Sequence, residues 1–135
     1  MSQEQDQANV STLKAFYDAI FSNDWAAVER LVTSDLVVYE ADGLPYRGEY
    51  HGLAALQSLF ATVVSYWDDL KIEIQAITAG DGYAIGLLQF QGRSKTQGTA
   101  VSMPIAEVTQ FKQGRISSIR PIYWDTWLVA QATAR

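Results

Sequence analysis

The stretch VSMPIAEVTQFKQGRISSIRPIYWDTWLVAQ, residues 101–131, contains the alternation that decides the fold. Successive side chains of a strand point to opposite faces, so one face of the first strand carries Val101, Met103, Ile105, Glu107, Thr109 and Phe111. Glu107 is a carboxylic acid in a largely apolar row. A turn at 112–115 leads to a second strand, after which Asp125 lies between aromatic residues. Two acids on neighbouring strands, each in apolar company, predict a binding or acid–base pocket.

The first half of the chain has the three- and four-residue spacing of apolar side chains that indicates helices. One helix is predicted from residue 10 to about residue 23, and a shorter helix follows an Asn or Asp cap. Residues 36–40 are predicted as a short strand because they are rich in β-branched and aromatic side chains. A Gly- and Pro-containing loop over 41–48 then precedes a third helix, whose apolar stripe continues from about Gly52 to Trp67.

The second half changes to the alternating period of strands. Strands are predicted at 70–76 and 83–92, joined by a turn at 80–82, and the two terminal strands follow. A last short helical segment is an option for 126–132. This order predicts an α+β fold in which three helices pack on a strongly curved, mainly antiparallel β-sheet that encloses a pocket.

Length and composition limit the possible functions. The 135 residues predict a single domain, 1–135, with residues 1–9 as a flexible N-terminus. A net charge of -5 without a basic stripe argues against nucleic acid or an anionic membrane as a partner. No signal peptide or apolar span of membrane length is apparent, so a cytoplasmic location is expected. The single histidine, His51, and the absence of cysteine give no expectation of a metal or another cofactor.

Four segments together resemble the nuclear transport factor 2-like superfamily, which includes ketosteroid isomerases and SnoaL-like polyketide cyclases. They are FYDAIFSNDW (16–25), PYRGEYHG (45–52), EVTQFKQGRISSI (107–119) and WDTWLVAQ (124–131). Their order and spacing carry the resemblance over nearly the whole chain. The resemblance implies a cone-shaped α+β fold and a homodimer.

The resemblance to ketosteroid isomerases implies roles for particular positions. In those enzymes a general-base Asp ends the first strand, and a Tyr on the first helix pairs with a protonated Asp on a later strand. Glu107 lies where that later acid falls. Phe16 is at the Tyr position and Tyr17 is the next residue, while the base position falls on Tyr39 or Glu40. Since neighbouring residues of a strand face opposite sides, only one of the last two can point inward, and the parity of Val37 favours Tyr39.

Asp125 is similar to the acid–base Asp on the last strand of SnoaL-like cyclases. Their assisting His has no counterpart, because His51 lies in the loop before the third helix. An Asp before a helical run is also a standard N-cap, so capping and catalysis are equally good interpretations of Asp125. Glu107 has a comparable alternative, as a surface residue or the partner of an arginine at position 93, 115 or 120.

Aromatic and apolar residues supply a candidate lining for the pocket, although core packing is the preferred explanation for most of the aromatic ones. The predicted substrate-binding residues are Phe16, Tyr39, Phe60, Trp67, Phe90, Met103, Tyr123 and Trp127. The predicted catalytic residues are Asp125, Glu107, Tyr17 and Glu40. The sequence thus predicts a protein that binds a small apolar, carbonyl-containing or polycyclic compound. It is expected to act as a cofactor-free isomerase, cyclase or dehydratase, or as a non-catalytic binding or dimerisation module.

Overall fold

The computed structural model describes residues 2–135, which form four helices and six strands. The helices are α1 (Gln3–Phe21), α2 (Trp25–Leu31), α3 (Gly52–Ser65) and α4 (Thr126–Thr133). The strands are β1 (Val32–Glu40), β2 (Gly48–His51), β3 (Trp67–Gly80), β4 (Tyr83–Ser94), β5 (Ala100–Lys112) and β6 (Arg115–Tyr123). The predicted α+β class is therefore confirmed, with four helices instead of three.

The six strands form one sheet in the order β2-β1-β6-β5-β4-β3. All neighbouring pairs are antiparallel except β1 and β6, which run parallel. β2 lies where the sequence predicts a loop, because Gly48–His51 pairs with the end of β1, a contact that local sequence does not reveal. Register shifts interrupt the β3–β4 ladder, with the extra residues on β3, and the β5–β6 ladder, with the extra residue on β6, and such irregularities increase the local twist of a sheet.

The helices α1 and α3 pack against one face of this sheet. α1 buries Leu13, Phe16, Tyr17 and Ile20, and α3 buries Leu56 and Leu59. The third helix ends at Ser65, so Trp67 is the first residue of β3 instead of the last of the helical stripe. The core consequently lies between this helical layer and the inner face of the sheet.

Most of the N-terminal segment is helical in the structure. α1 begins at Gln3, and the Ser2 hydroxyl accepts a hydrogen bond of 3.0 Å from the backbone N–H of Gln5, which caps the helix. Asn9 is 1% exposed and belongs to the packed part of α1. Of the predicted flexible residues 1–9, Met1 lies outside the described residues. None of the helices in residues 2–135 combines the length and apolar character needed to cross a bilayer.

Candidate active site

A cavity of about 120 Å³ lies between α1, α3 and the inner face of the sheet. Its apolar wall consists of Phe16, Ile20, Phe21, Val38, Leu56, Leu59, Phe60, Val63, Leu70, Ile72, Leu88, Ile105, Ile119 and Pro121. Four polar side chains join this wall: Tyr17, Glu40, Glu107 and Tyr123. The cavity therefore holds two carboxyl groups and two phenols in apolar surroundings, with no basic side chain in its lining.

Glu107 lies in the middle of β5 and points inward, in the row of alternate residues from Val101 to Thr109 that is otherwise buried. It is paired with Gly86 of β4 on one side and with Pro121 of β6 on the other. Burial raises the pKa of Glu107 to about 7, although the neighbouring Tyr17 hydroxyl lowers it in part. This carboxyl consequently changes its charge near neutral pH.

The arginines proposed as alternative partners of Glu107 make other contacts. Arg93 donates to the backbone oxygen of Gly98, and Arg115 donates to that of Glu29. The guanidinium carbon of Arg120 lies 4.5 Å from the ring centroid of Tyr39. Glu107 is therefore not held as one member of a surface ion pair.

Tyr17 projects from α1 over the backbone of Gly86, directly opposite Glu107 in the sheet. Its hydroxyl lies close enough to Glu107 to lower the pKa of that carboxyl, but it completes no hydrogen bond of standard geometry within the described residues. Burial, and then the charge of Glu107, raise the pKa of Tyr17 well above its usual range. Tyr17 thus stays a neutral O–H donor with unused hydrogen-bonding capacity.

Glu40, at the end of β1, is the second acid of the cavity and is only 8% exposed. Its Oε1 atom is buried without a hydrogen-bond partner within residues 2–135. Burial, with a smaller contribution from the charge of Glu107, raises the pKa of Glu40 to about 8. The prediction that Tyr39 points inward is wrong, because Leu36, Val38 and Glu40 occupy the inner face of β1.

The sheet register explains why the two acids meet. Val38 of β1 is level with Ile119 of β6, and continuing this parallel register by two residues places Glu40 level with Pro121. Pro121 is in turn paired with Glu107. The acids therefore lie on the first and third of three adjacent strands, about 10 Å apart at the backbone, and both side chains line the same cavity.

Tyr123 and Tyr46 complete the polar side of the cavity. Tyr123 lines the cavity at the end of β6, and its hydroxyl lies 2.7 Å from that of Tyr46. Burial raises the pKa of both tyrosines. Tyr46 comes from the Gly- and Pro-containing loop and is 3% exposed. Sequence analysis missed it, and an aromatic residue inside a short loop was the only signal that pointed to it.

Asp125, which sequence analysis gave as a catalytic residue, does not line the cavity. Its carboxylate accepts a hydrogen bond of 2.9 Å from the backbone N–H of Leu128 and caps α4. Of its two interpretations, capping is the one that the geometry matches. Trp127 is 69% exposed on α4 and is also absent from the cavity wall.

Three other predicted lining residues belong to the core beside the cavity. The rings of Trp67 and Phe90 meet edge to face at a centroid distance of 5.0 Å, and Met103 is paired with Phe90 across the β4–β5 ladder. All three are buried, and none is part of the cavity wall. Phe16, Phe60 and Tyr123 do line it. Within residues 2–135, His, Asp and Glu side chains form no cluster suited to a metal ion.

The sequence profile of the SnoaL-like domain matches residues 13–119 of this chain. No protein with a curated description matches the chain. Solved structures, by contrast, match it over nearly its full length.

A nuclear transport factor 2-like protein from Burkholderia xenovorans LB400 is 22% identical, with a TM-score of 0.82, and the match covers 95% of this chain and 97% of that one. A putative SnoaL-like polyketide cyclase from Jannaschia sp. CCS1 is 13% identical, with a TM-score of 0.83 and coverage of 99% and 96%. A Mycobacterium tuberculosis protein described as an LEH-like epoxide hydrolase is 18% identical, with a TM-score of 0.69 and coverage of 95% and 90%. At these identities the similarity establishes the fold.

Because Tyr17 packs directly on Gly86, the stability of the protein should be sensitive to a single methyl group added at position 86. A Cβ at position 86 would lie 2.9 Å from Cζ of Tyr17 and still closer to its hydroxyl. Gly86→Ala should therefore displace Tyr17 and lower the free energy of unfolding by about 1–3 kcal/mol, measured by urea denaturation. Gly80→Ala is the matched control, because nothing lies within 4 Å of that position. Equal effects of Gly86→Ala and Gly80→Ala on stability would contradict the packing of Tyr17 on Gly86. Combining Gly86→Ala with Tyr17→Phe should restore part of the lost free energy of unfolding.

The two buried acids predict how stability changes with pH. The pKa values of Glu40, about 8, and Glu107, about 7, lie above the ordinary carboxyl value, so the folded state keeps protons that the unfolded chain releases. The free energy of unfolding should consequently fall as pH rises from about 4.5 to about 8. Glu40→Gln should flatten this slope and gain about 1–3 kcal/mol over the wild type at pH 8, in thermal or urea unfolding.

The control for this measurement is Glu29→Gln, on the exposed side of α2, which should keep the wild-type slope. A wild-type stability that stays constant or rises between pH 5 and pH 8 would contradict the burial of unpaired acids.

Proposed function

Because this chain belongs to the SnoaL-like domain family, whose profile spans residues 13–119, we propose that it catalyses proton transfer on a small carbonyl compound bound in the cavity. The proposal rests mainly on two unpartnered polar atoms of the cavity residues, the Tyr17 hydroxyl and Oε1 of Glu40. The Tyr17 hydroxyl is a hydrogen-bond donor, and the Glu40 carboxylate is an acceptor when it is ionised. Buried polar groups are usually hydrogen-bonded, so a missing partner on both sides of one cavity favours a ligand with complementary groups.

In the proposed reaction Glu40 is the general base. Its carboxylate removes a proton from the carbon next to the carbonyl group, the electron pair of that C–H bond forms a C=C bond, and the π electron pair of the C=O bond moves onto the oxygen to give an enolate. Glu107 in its protonated form and Tyr17 donate hydrogen bonds to this oxygen. Return of the proton from Glu40 to another carbon completes an isomerisation. The same proton transfers would serve an aldol-type cyclisation or a dehydration.

The electrostatics of the cavity favour a pair of acids that carries a single charge, which is the state that the proposed reaction uses. The charge of Glu107 raises the pKa of Glu40, so the two acids titrate as a coupled pair and resist carrying two charges at once. The singly charged pair has one acceptor and one donor, which is the combination that enolisation requires. Because the pKa of Glu107, about 7, lies below that of Glu40, about 8, the form with the charge on Glu40 is the less populated of the two and is the one that reacts. Tyr17 cannot supply the base, because burial holds its pKa well above the usual range.

The reaction can be tested by following hydrogen–deuterium exchange next to the carbonyl group of 2-cyclohexenone and cyclohexanone by NMR. Glu40→Gln should reduce the exchange rate by about 10²–10⁴-fold, because the amide cannot act as the base. Tyr17→Phe and Glu107→Leu should each reduce it by about 10- to 10³-fold through loss of a donor to the enolate oxygen. The wild-type rate should be highest between about pH 7 and pH 8, where the pair holds one charge.

Two controls identify the working carboxyl groups. Asp125→Asn keeps a side chain that can cap α4, so it should leave both folding and exchange unchanged. Glu49→Gln removes an exposed carboxylate remote from the cavity lining. Exchange that survives in Glu40→Gln but disappears in Asp125→Asn would reverse the assignment. Ligand binding without exchange in the wild type would support the alternative function, a non-catalytic binding module.

We also propose that the protein is a homodimer formed through the outer face of the sheet. Leu87, Ala106 and Ile122 are adjacent on β4, β5 and β6, and Leu87 and Ile122 are 42% and 51% exposed. A twofold axis would bring this apolar row against its own copy. Sedimentation equilibrium should give a dimer that Ile122→Glu converts to a monomer. Val64→Glu, an exposed apolar position on α3, should leave the dimer intact, and a wild-type monomer would contradict the proposal.

A further inference from the structure

We propose that the cavity also binds an apolar organic amine in its protonated form, with the ammonium group paired to the carboxylate of Glu40 beside that of Glu107. The amine brings the positive charge that the wall lacks, and its hydrocarbon part lies along the apolar side. Binding of this kind does not require the proton-transfer reaction, because it depends only on the two acids and the wall around them.

Glu40 offers the ammonium group an unused acceptor. Its side chain is 8% exposed and lines the cavity, and its Oε1 atom has no hydrogen-bond partner within residues 2–135. An ionised carboxylate can only accept hydrogen bonds, so the missing partner is a donor. A charged N–H donor forms a shorter and stronger hydrogen bond to a carboxylate than a neutral donor does.

The wall gives the two acids no cationic partner. Among residues 2–135, no Lys, Arg or His side chain lines the cavity. Arg120 borders an outer cleft together with Glu40, but its guanidinium carbon lies 4.5 Å from the ring centroid of Tyr39. A buried carboxylate without a partner is costly, and a cation that enters the cavity removes much of this cost. An anion is disfavoured, because either ionised acid repels it.

The lining favours an organic cation over a metal ion. Within residues 2–135, Glu40 and Glu107 are the only acids of the lining, and His, Asp and Glu side chains form no group of three suited to a metal. Hard metal cations take about six or more oxygen ligands, whereas an ammonium group has three N–H donors. The aromatic rings of Phe16, Phe60 and Tyr123 in the wall are compatible with a neighbouring organic cation.

The exposure of the lining residues shows where the apolar part of the amine lies. Phe21 is 46% exposed at the end of α1, and Phe60, Val63 and Leu70 are half-buried on α3 and β3. The cavity is therefore open on the side of α1, α3 and β3, and a hydrocarbon group can extend outwards there while the ammonium group stays at the buried acids. The ligand class is accordingly defined by an ammonium group at one end and an apolar group at the other.

The charged and titratable groups around Glu40 come from every element that packs against it. In the cavity and the adjoining loop they are Glu107 on β5 and the tyrosines Tyr17, Tyr46, Tyr50 and Tyr123. On the outer cleft they are Asp42, Glu49 and Arg120. The helix α3 has no charged side chain. Burial raises the pKa of all four tyrosines, so they stay neutral below about pH 10.

Amine binding should consequently depend on pH through the two acids. The pKa values of Glu107, about 7, and Glu40, about 8, mean that both carboxyl groups lose their protons below about pH 9. An alkylamine, whose pKa resembles the ~10.4 of Lys, is still protonated there. Affinity for the amine should rise by about tenfold or more from pH 6 to pH 9, and a constant affinity over this range would contradict the pairing with Glu40.

Three ligands of similar shape and different charge test this site: cyclohexylmethylamine, cyclohexylmethanol and cyclohexanecarboxylate. Each is titrated at about pH 8.5 into the full-length protein with ¹³C-labelled Ile methyl groups and followed by NMR. The amine should shift the methyl signals of Ile72 and Ile105, which line the cavity, and leave that of Ile122 on the outer face unchanged. It should bind at least about tenfold more tightly than the alcohol, and the carboxylate should shift none of these signals.

Variants matched in charge separate the cavity from the general attraction of a protein with a net charge of -5 for amines. Glu40→Gln removes the proposed partner and should weaken amine binding by at least about tenfold, with little effect on the alcohol. Glu107→Gln, at the second acid, should weaken amine binding as well. Glu49→Gln removes the same charge from an exposed position outside the cavity lining and should leave amine binding unchanged.

Two results would overturn the amine site. One is an equal loss of amine affinity in Glu40→Gln and Glu49→Gln, which would assign binding to surface charge. The other is a wild-type protein that binds cyclohexylmethanol as tightly as cyclohexylmethylamine.

The deuterium-exchange assay separates the amine site from the proposed function. Cyclohexylmethylamine should compete with 2-cyclohexenone for the cavity and slow its exchange. If exchange through Glu40 continues at the same rate with the amine present, and the amine shifts no cavity methyl signal, the proposed chemistry stands and the amine site is wrong. If the amine binds in the cavity but no ketone proton exchanges, the amine site stands and the proposed chemistry is wrong.

Discussion

The burial of two carboxyl groups in one apolar cavity is the constraint on which the rest of this structure depends. Each ionised carboxylate would lose its hydration there, and the lining provides no cation in return. The raised pKa values of Glu40 and Glu107 reflect that cost. The surrounding core of helices and sheet must supply the stability that these groups remove. Such a cost is typical of positions where a local rule is broken for the sake of function.

The parallel pairing of β1 and β6 brings the two buried acids into one site. Glu40 and Glu107 are far apart in sequence, and only the insertion of β6 between β1 and β5 brings them to one level of the sheet. The proline that separates them has no side-chain polar group, so it adds no competing hydrogen-bond partner. Across the next strand, the absence of a side chain at Gly86 leaves room for the Tyr17 phenol. Glu40, Pro121, Glu107 and Gly86 form one row across β1, β6, β5 and β4. This row therefore determines where the two acids lie and where the Tyr17 phenol has room.

The sequence predicts these features to very different degrees. The inward position of Glu107 follows from local alternation, because β5 has a long apolar row of a single parity. The short first strand has apolar residues on both faces, so parity alone cannot choose between Tyr39 and Glu40. On the outer face Tyr39 makes a cation–π contact with Arg120, a residue distant in sequence, and the local pattern cannot reveal this contact. β2 and the enclosed position of Tyr46 depend on partners distant in sequence. The sequence could not decide between capping and catalysis for Asp125. A helix cap is recognised from neighbouring residues, whereas the position of the cavity depends on residues distant in sequence.

The length of the two acidic side chains links the chemistry to the shape of the cavity. The resemblance to ketosteroid isomerases implies Asp at both positions, whereas this chain has Glu at positions 40 and 107. Each Glu has one additional methylene group, so both carboxyl groups extend further from the sheet into the cavity. After burial, the charge of Glu107 contributes to the raised pKa of Glu40, so the two carboxyl groups interact across the cavity. The added methylene groups also fill part of the cavity of about 120 Å³, so the acids shape the space as well as its charge.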